Sequence, residues 1–190
     1  MLQTKVALLA FGANLPFEGL KPDETIRAAI QAFPEVKLPV PQLSRLFETP
    51  CFPAGAGPDY VNAAALLQVE GAFSAEGLLA RLHQIEAMFG RMRETRWGMR
   101  TLDIDLLAFG DLVLPDADTQ THWRDLDPLL QAGAAPDQLI LPHPRIQDRA
   151  FVLMPLADVA PGWRHPVLHR TVAQMLAALP PADLAFMRPL

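Results

Sequence analysis

Residues 5–11 form an apolar run ending at Gly12-Ala13-Asn14, the pattern of a β-strand stopped by a turn. Over residues 23–33, Ile26, Ala29, Ile30 and Phe33 recur at helical spacing, and Pro34 follows. Residues 42–48 and 60–69 read as strands, divided by the Pro/Gly-rich stretch 50–58. Ser74 predicts an N-cap for a helix reaching Phe89, whose apolar face carries Leu78, Leu79, Leu82, Ile85, Met88 and Phe89. Gly90 stands where a C-terminal glycine belongs. Residues 102–109 complete the series as a strand turned by Gly110-Asp111. The order β-α-β-β-α-β predicts an α+β fold with a ferredoxin-like core, two helices packed on one antiparallel sheet. The prolines agree: none occurs in the 56 residues between Pro58 and Pro115, so that stretch holds the regular heart of the fold. Residues 115–138 read as a long excursion, and 150–180 as a C-terminal extension of apolar, partly helical cover.

Length and composition narrow the class. A chain of 190 residues, 51% hydrophobic and 19% charged, predicts one domain over residues 1–190 with a real core. Its net charge of −5 speaks against a nucleic-acid coat protein or a polybasic membrane anchor. Cys51 is the sole cysteine, so no internal disulfide forms and the cytoplasm is the expected compartment. No apolar run approaches the ~18 residues of a membrane span. The expected partners are small molecules, neither nucleic acid nor membrane, and the expected state is a monomer.

Chemistry concentrates where charge departs from the average. Asp103 and Asp105 flank Ile104 in the last core strand, so alternation aims both carboxylates at one face. Adjacent carboxylates repel unless a cation joins them, and hard oxygen ligands suit Mg²⁺. Immediately upstream, Arg91, Arg93, Arg96 and Arg100 against Glu94 make a decapeptide of charge +3, with Trp97 inside it. Guanidinium forks match phosphate oxygens. Phosphate-binding cations beside a Mg²⁺ site describe a nucleoside triphosphate. A third cluster holds His143, Arg145 and Arg149, a further candidate for phosphate contact. Asn62, among apolar neighbours at the start of a strand, offers an amide that suits a heterocycle edge or, equally, nearby backbone. No GxxxxGK[ST], GxGxxG, CxxC or HExxH pattern occurs.

These pieces together resemble the 6-hydroxymethyl-7,8-dihydropterin pyrophosphokinase family of folate biosynthesis. The matching strings run in the family's order: Phe11-Gly12-Ala13-Asn14-Leu15; Thr49-Pro50 with Pro58-Asp59-Tyr60-Val61-Asn62-Ala63; Ile85-Glu86 and Gly90-Arg91-Met92-Arg93; Arg96-Trp97-Gly98-Met99-Arg100-Thr101-Leu102-Asp103-Ile104-Asp105; Leu141-Pro142-His143-Pro144-Arg145; and Arg149-Ala150-Phe151-Val152-Leu153. The resemblance implies the same core and an ATP-dependent transfer of diphosphate to the pterin hydroxymethyl group. It implies that Asp103 and Asp105 bind two Mg²⁺ ions, and that Arg91 and Arg100 contact phosphates. Glu86, Arg93, Trp97, His143 and Arg149 would bind ATP. Thr49, Tyr60, Asn62 and Phe151 would form the pterin pocket. The sequence departs from the family's habit at Ala13, often Ser; at Met99, usually Pro; in the loop 51–57; and in the longer excursion 115–138. Three other readings remain open: a palm-type nucleotidyltransferase, which also places paired Asp on such a sheet; an RNA-binding module using the Arg/Trp loop, against which the net acidic charge speaks; and a degenerate paralogue that binds pterin or ATP without turnover.

Overall fold

A computed structural model of the chain describes residues 4–51, 57–71, 73–90, 100–127, 130 and 136–190. Its framework is a six-stranded sheet in which every pairing is antiparallel. The strands are β1 (Thr4–Ala13), β2 (Gln42–Leu43), β3 (Phe47–Thr49), β4 (Tyr60–Glu70), β5 (Asp103–Phe109) and β6 (Arg188–Pro189). Their order across the sheet is β5-β1-β4-β3-β6, with β2 also on β4. Helices α1 (Pro22–Gln31) and α2 (Ala75–Met88) cover one face. The other is covered by α4 (Ala150–Val159) and α5 (Val172–Leu176), so the predicted C-terminal cover is a third layer. Also among the described residues are helices α3 (Ala117–Asp125) and α6 (Pro181–Leu184).

Alternation along β1 explains the layering. Ala7, Leu9, Phe11 and Ala13 join Ile26, Ile30, Leu78, Leu82 and Ile85 in the first core. Leu8 joins Val152, Leu153, Leu156, Val172 and Met175 in the second. A strand buried on both faces reads as a continuous apolar run, which is why residues 5–11 do so. Ser74 caps α2 as predicted, its Oγ accepting from the Gly77 amide at 3.0 Å. Gly90 follows α2 at φ +77°, where a Cβ would fall 2.6 Å from the Phe17 ring.

Three boundaries differ from expectation. β1 runs through Gly12 to Ala13 and does not stop at the glycine, because Gly12 pairs with strands on both sides. The predicted helix 23–33 ends at Gln31, and Phe33–Val36 continues as a tighter 3₁₀ turn that accommodates Pro34. The predicted strand 42–48 is broken into β2 and β3. Between them the Ser44 hydroxyl accepts from the Ala64 amide at 2.9 Å and donates to the Arg45 carbonyl at 2.6 Å, interrupting the ladder. Arg45 then grips Asp158 of α4 through Nε (2.9 Å) and Nη2 (2.8 Å).

The loop before α5 is organised by His165, which is wholly buried. Its Nδ1 accepts from the Val167 and Leu168 amides, each at 3.2 Å, so the fold needs the neutral imidazole. Burial, reinforced by Arg124 and His169, pushes its pKa down to about 4. A depressed pKa contributes stability that is present above the unfolded value of ~6.5 and lost as pH falls toward the folded one. Unfolding free energy should therefore drop by about 1–2 kcal/mol from this group between pH 7 and 5. His165→Asn, which offers a non-titrating acceptor, should flatten that part of the slope in denaturant titrations. Identical slopes for both proteins would exclude His165 as the cause.

Candidate active site

The strand register sets the site. Gly12 pairs with Asn62 on β4 and Asp103 on β5, and Ala10 pairs with Ala64 and Asp105. Asp103 and Asp105 therefore share the face that α4 covers, while Leu102, Ile104 and Leu106 enter the opposite core. Gly12 places no side chain in the row between Asn62 and Asp103, where a Cβ would make ordinary van der Waals contact with Asn62 Oδ1 at 3.6 Å.

Of the residues expected to hold pterin, Thr49, Tyr60 and Asn62 meet where β3 pairs with β4, while Phe151 lies beside Arg149. Asn62, 6% exposed, donates through Nδ2 to Thr49 Oγ1 at 2.8 Å. That bond orients the amide and leaves the Oδ1 edge for an incoming donor. Tyr60 lies within electrostatic reach of Arg100 and Asp103, and burial raises the pKa of its phenol. Phe151 is 41% exposed, a large apolar ring on the surface, with the Arg149 guanidinium 5.7 Å from its centre.

A second group is cationic. Arg149, at the N-terminus of α4, has its pKa lowered by burial, while Asp105, Asp148 and Asp103 act in the opposite direction. Arg145 pairs with Asp148 at 2.7 Å. The His143 amide donates to the Leu107 carbonyl at 2.7 Å, and its Nδ1 accepts from the Arg145 amide at 3.1 Å. Burial, then Arg149 and Arg145, push the His143 pKa down to about 3 against a smaller opposing effect of Asp103. The ring is neutral near pH 7, and with Nδ1 accepting, Nε2 carries the proton as an uncharged donor. Arg100 donates through Nη1 to Asp103 Oδ2. This guanidinium, expected on phosphate, thus sits against a carboxylate expected on metal.

Glu86, expected among the ATP contacts, is 1% exposed, and its Oε1 accepts from the Ile104 amide at 2.7 Å. It reaches β5 from the core side, between the two aspartates in sequence. Arg91, Arg93 and Trp97 lie outside the described residues, as do residues 52–56 of the Pro/Gly loop.

Sequence reasoning gave Asn14 no role beyond a turn. The structure makes it a junction. Its side chain, 1% exposed, accepts from the Arg100 amide at 2.9 Å and donates to the Pro58 carbonyl at 3.3 Å. The Asn14 and Leu15 amides both donate back to the Arg100 carbonyl, at 3.0 and 3.1 Å. The signal available was an Asn directly after the strand, a residue that bonds locally to backbone.

Among the described residues no group of three or more His, Cys, Asp or Glu is arranged to hold a metal ion. The donor set is two carboxylates, which fits Mg²⁺, since that ion takes one or two carboxylates and completes its shell with water and substrate phosphates. No helix among the described residues is long and apolar enough to cross a membrane.

Comparison with known proteins shows the family. The family model for 7,8-dihydro-6-hydroxymethylpterin-pyrophosphokinase (HPPK) matches residues 8–161. The 2-amino-4-hydroxy-6-hydroxymethyldihydropteridine pyrophosphokinase of Pseudomonas aeruginosa is 39% identical over 176 residues, 90% of each chain. The protein of that name from Synechocystis is 39% identical over 119 residues, 63% of this chain and 50% of its own. That from Haemophilus influenzae is 30% identical over 81% of each. Among solved structures, wild-type Plasmodium falciparum HPPK-DHPS superposes with a TM-score of 0.60 at 15% identity, over 93% of this chain and 45% of that one. The chain thus spans about half the length of some relatives and nine-tenths of another, and the distant structures speak to the fold alone. With the match covering most of its length, the chain belongs to the 7,8-dihydro-6-hydroxymethylpterin-pyrophosphokinase family.

Proposed function

We propose that the chain catalyses ATP-dependent transfer of diphosphate to the hydroxymethyl group of 6-hydroxymethyl-7,8-dihydropterin, releasing AMP, in folate biosynthesis. One observation supports this above the rest: Asp103 and Asp105 share a sheet face with Asn62, in line with Asp103 across Gly12, and Arg100 and Arg149 are beside them. In the proposed reaction the hydroxymethyl oxygen attacks the β-phosphorus in line and loses its proton to water, the bond from that phosphorus to the α–β bridging oxygen breaks, and AMP departs with that oxygen. Phosphoryl transfer of this kind asks the protein for position and countercharge more than for covalent chemistry.

Each residue has a task in that scheme. Asn62, held by Thr49, presents an amide edge to the pterin, and Tyr60 and Phe151 flank the ring. Arg100, Arg149 and Arg91 oppose phosphate charge, with Arg93 and Trp97 on the same loop as Arg91. His143 donates from Nε2 without adding a charge. Glu86 serves ATP binding indirectly, by fixing the backbone of β5. Asp103 and Asp105 would hold two Mg²⁺ ions, which supply charge neutralisation to the triphosphate. A monomer acting in the cytoplasm on small molecules completes the reading.

Incubation with ATP, Mg²⁺ and the dihydropterin alcohol should yield AMP and the pterin diphosphate in equal amounts. Inorganic diphosphate as the product would point instead to nucleotidyl transfer. Absence of both products would overturn the proposal.

A further inference from the structure

The 115–138 excursion is unexplained by the reaction, and its helix attaches unusually. Surface helices dock through an apolar stripe. In α3 the only buried residue is Gln120, at 0% exposure, and no side chain of α3 belongs to either core cluster. Its fastening is polar. Gln120 Nε2 donates to the Pro142 carbonyl at 3.2 Å, and Gln120 Oε1 accepts from Arg124 Nη1 at 3.4 Å. Because Arg124 can only donate, the oxygen must face it, so the amide NH₂ is turned to Pro142.

Pro142 immediately precedes His143. Around it the chain is pinned at several points. Leu114 and Leu141 exchange two backbone hydrogen bonds (2.8 and 3.1 Å), the His143 amide reaches Leu107 of β5, and Arg145 pairs with Asp148. The Gln120 bond comes from outside the sheet and fixes the carbonyl next to the candidate nucleotide donor.

We infer that α3 is a brace for the nucleotide-side segment, with Gln120 a positioning residue that sets His143 and Arg145 through the Pro142 carbonyl. This rests on the ATP-dependent activity proposed above. The helix supports its own first turn, since both Asp116 carboxyl oxygens accept from Thr119 (2.8 and 2.9 Å), so altering Gln120 leaves α3 able to form.

The test uses two substitutions in the full chain. Gln120→Met keeps the length and loses the donor; Gln120→Glu keeps the acceptor toward Arg124 and sets a carboxyl oxygen against the Pro142 carbonyl. Binding of Mg²⁺·α,β-methylene-ATP, read by titration calorimetry, should weaken by about fivefold to tenfold in both, the worth of one buried hydrogen bond. The dihydropterin KM and kcat at saturating ATP should stay within about twofold, a split that general loosening of the fold would not produce. Unchanged analogue affinity, or an equal loss for both substrates, would overturn the brace. Wild-type chain that binds no analogue would overturn the activity itself, and the brace with it.

Discussion

Asp105→Ala should lower steady-state AMP release by about a thousandfold or more, some 4 kcal/mol of transition-state stabilisation. The expectation follows from what would be left. Asp103 is already engaged by Arg100, so it cannot supply both its own share and that of its neighbour. Arg149 would lose the carboxylate that most offsets its burial, which weakens the cationic group of the site as well. Asp105→Asn separates the contributions: it keeps the shape and removes the charge, and should be nearly as impaired. Both variants should still fold, because Asp105 is only half-buried, though leaving Arg149 without this carboxylate costs some stability. AMP release approaching wild type at saturating Mg²⁺ would refute the role given to this carboxylate.

The second large effect concerns a residue that touches no substrate in our scheme. Glu86→Ala should destabilise the chain by about 2–4 kcal/mol, from an orphaned buried amide plus the space left behind. The amide belongs to Ile104, itself 2% exposed, so water cannot substitute for the lost carboxyl oxygen. Turnover should fall with it even where the protein remains folded, since Ile104 sits between Asp103 and Asp105 and its backbone fixes their spacing. Glu86→Gln retains an acceptor at the same reach and should recover most of both losses. Denaturant titration beside kinetics at a temperature well below the melt would check this. An alanine variant with wild-type stability would mean that the Ile104 bond counts for little.

The order of the core elements was readable because two periods and a few punctuating residues carried it. Strong alternation fixed which face Asp103 and Asp105 take, and Ser74 with Gly90 bounded α2. What escaped prediction depended on contacts distant in sequence. The break between β2 and β3 follows from Ser44 capturing an amide of β4, twenty residues on. The continuation of β1 through Gly12 follows from two neighbouring strands, and no local propensity announces them. Helix α3 has almost no apolar stripe to display, so its sequence reads as loop. Within the site, residue types were legible and their partners were not. Glu86 spends an oxygen on backbone, Arg100 meets Asp103, and Asn14 joins three segments, arrangements that composition and spacing do not encode.

The rims of the sheet have a consequence for life at high protein concentration. An open strand edge is a template on which another chain can add. On the β5 side the Ile104 amide is taken by Glu86 and the Leu107 carbonyl by the His143 amide, so part of the rim is occupied from within. On the far side β6 is two residues long, and Pro189 has no N–H to offer. Both rims therefore offer fewer groups for strand addition than open edges of full length would. Glu86 and the segment at His143, which the proposed scheme assigns to the reaction, thus also shield part of the β5 rim from pairing with another copy.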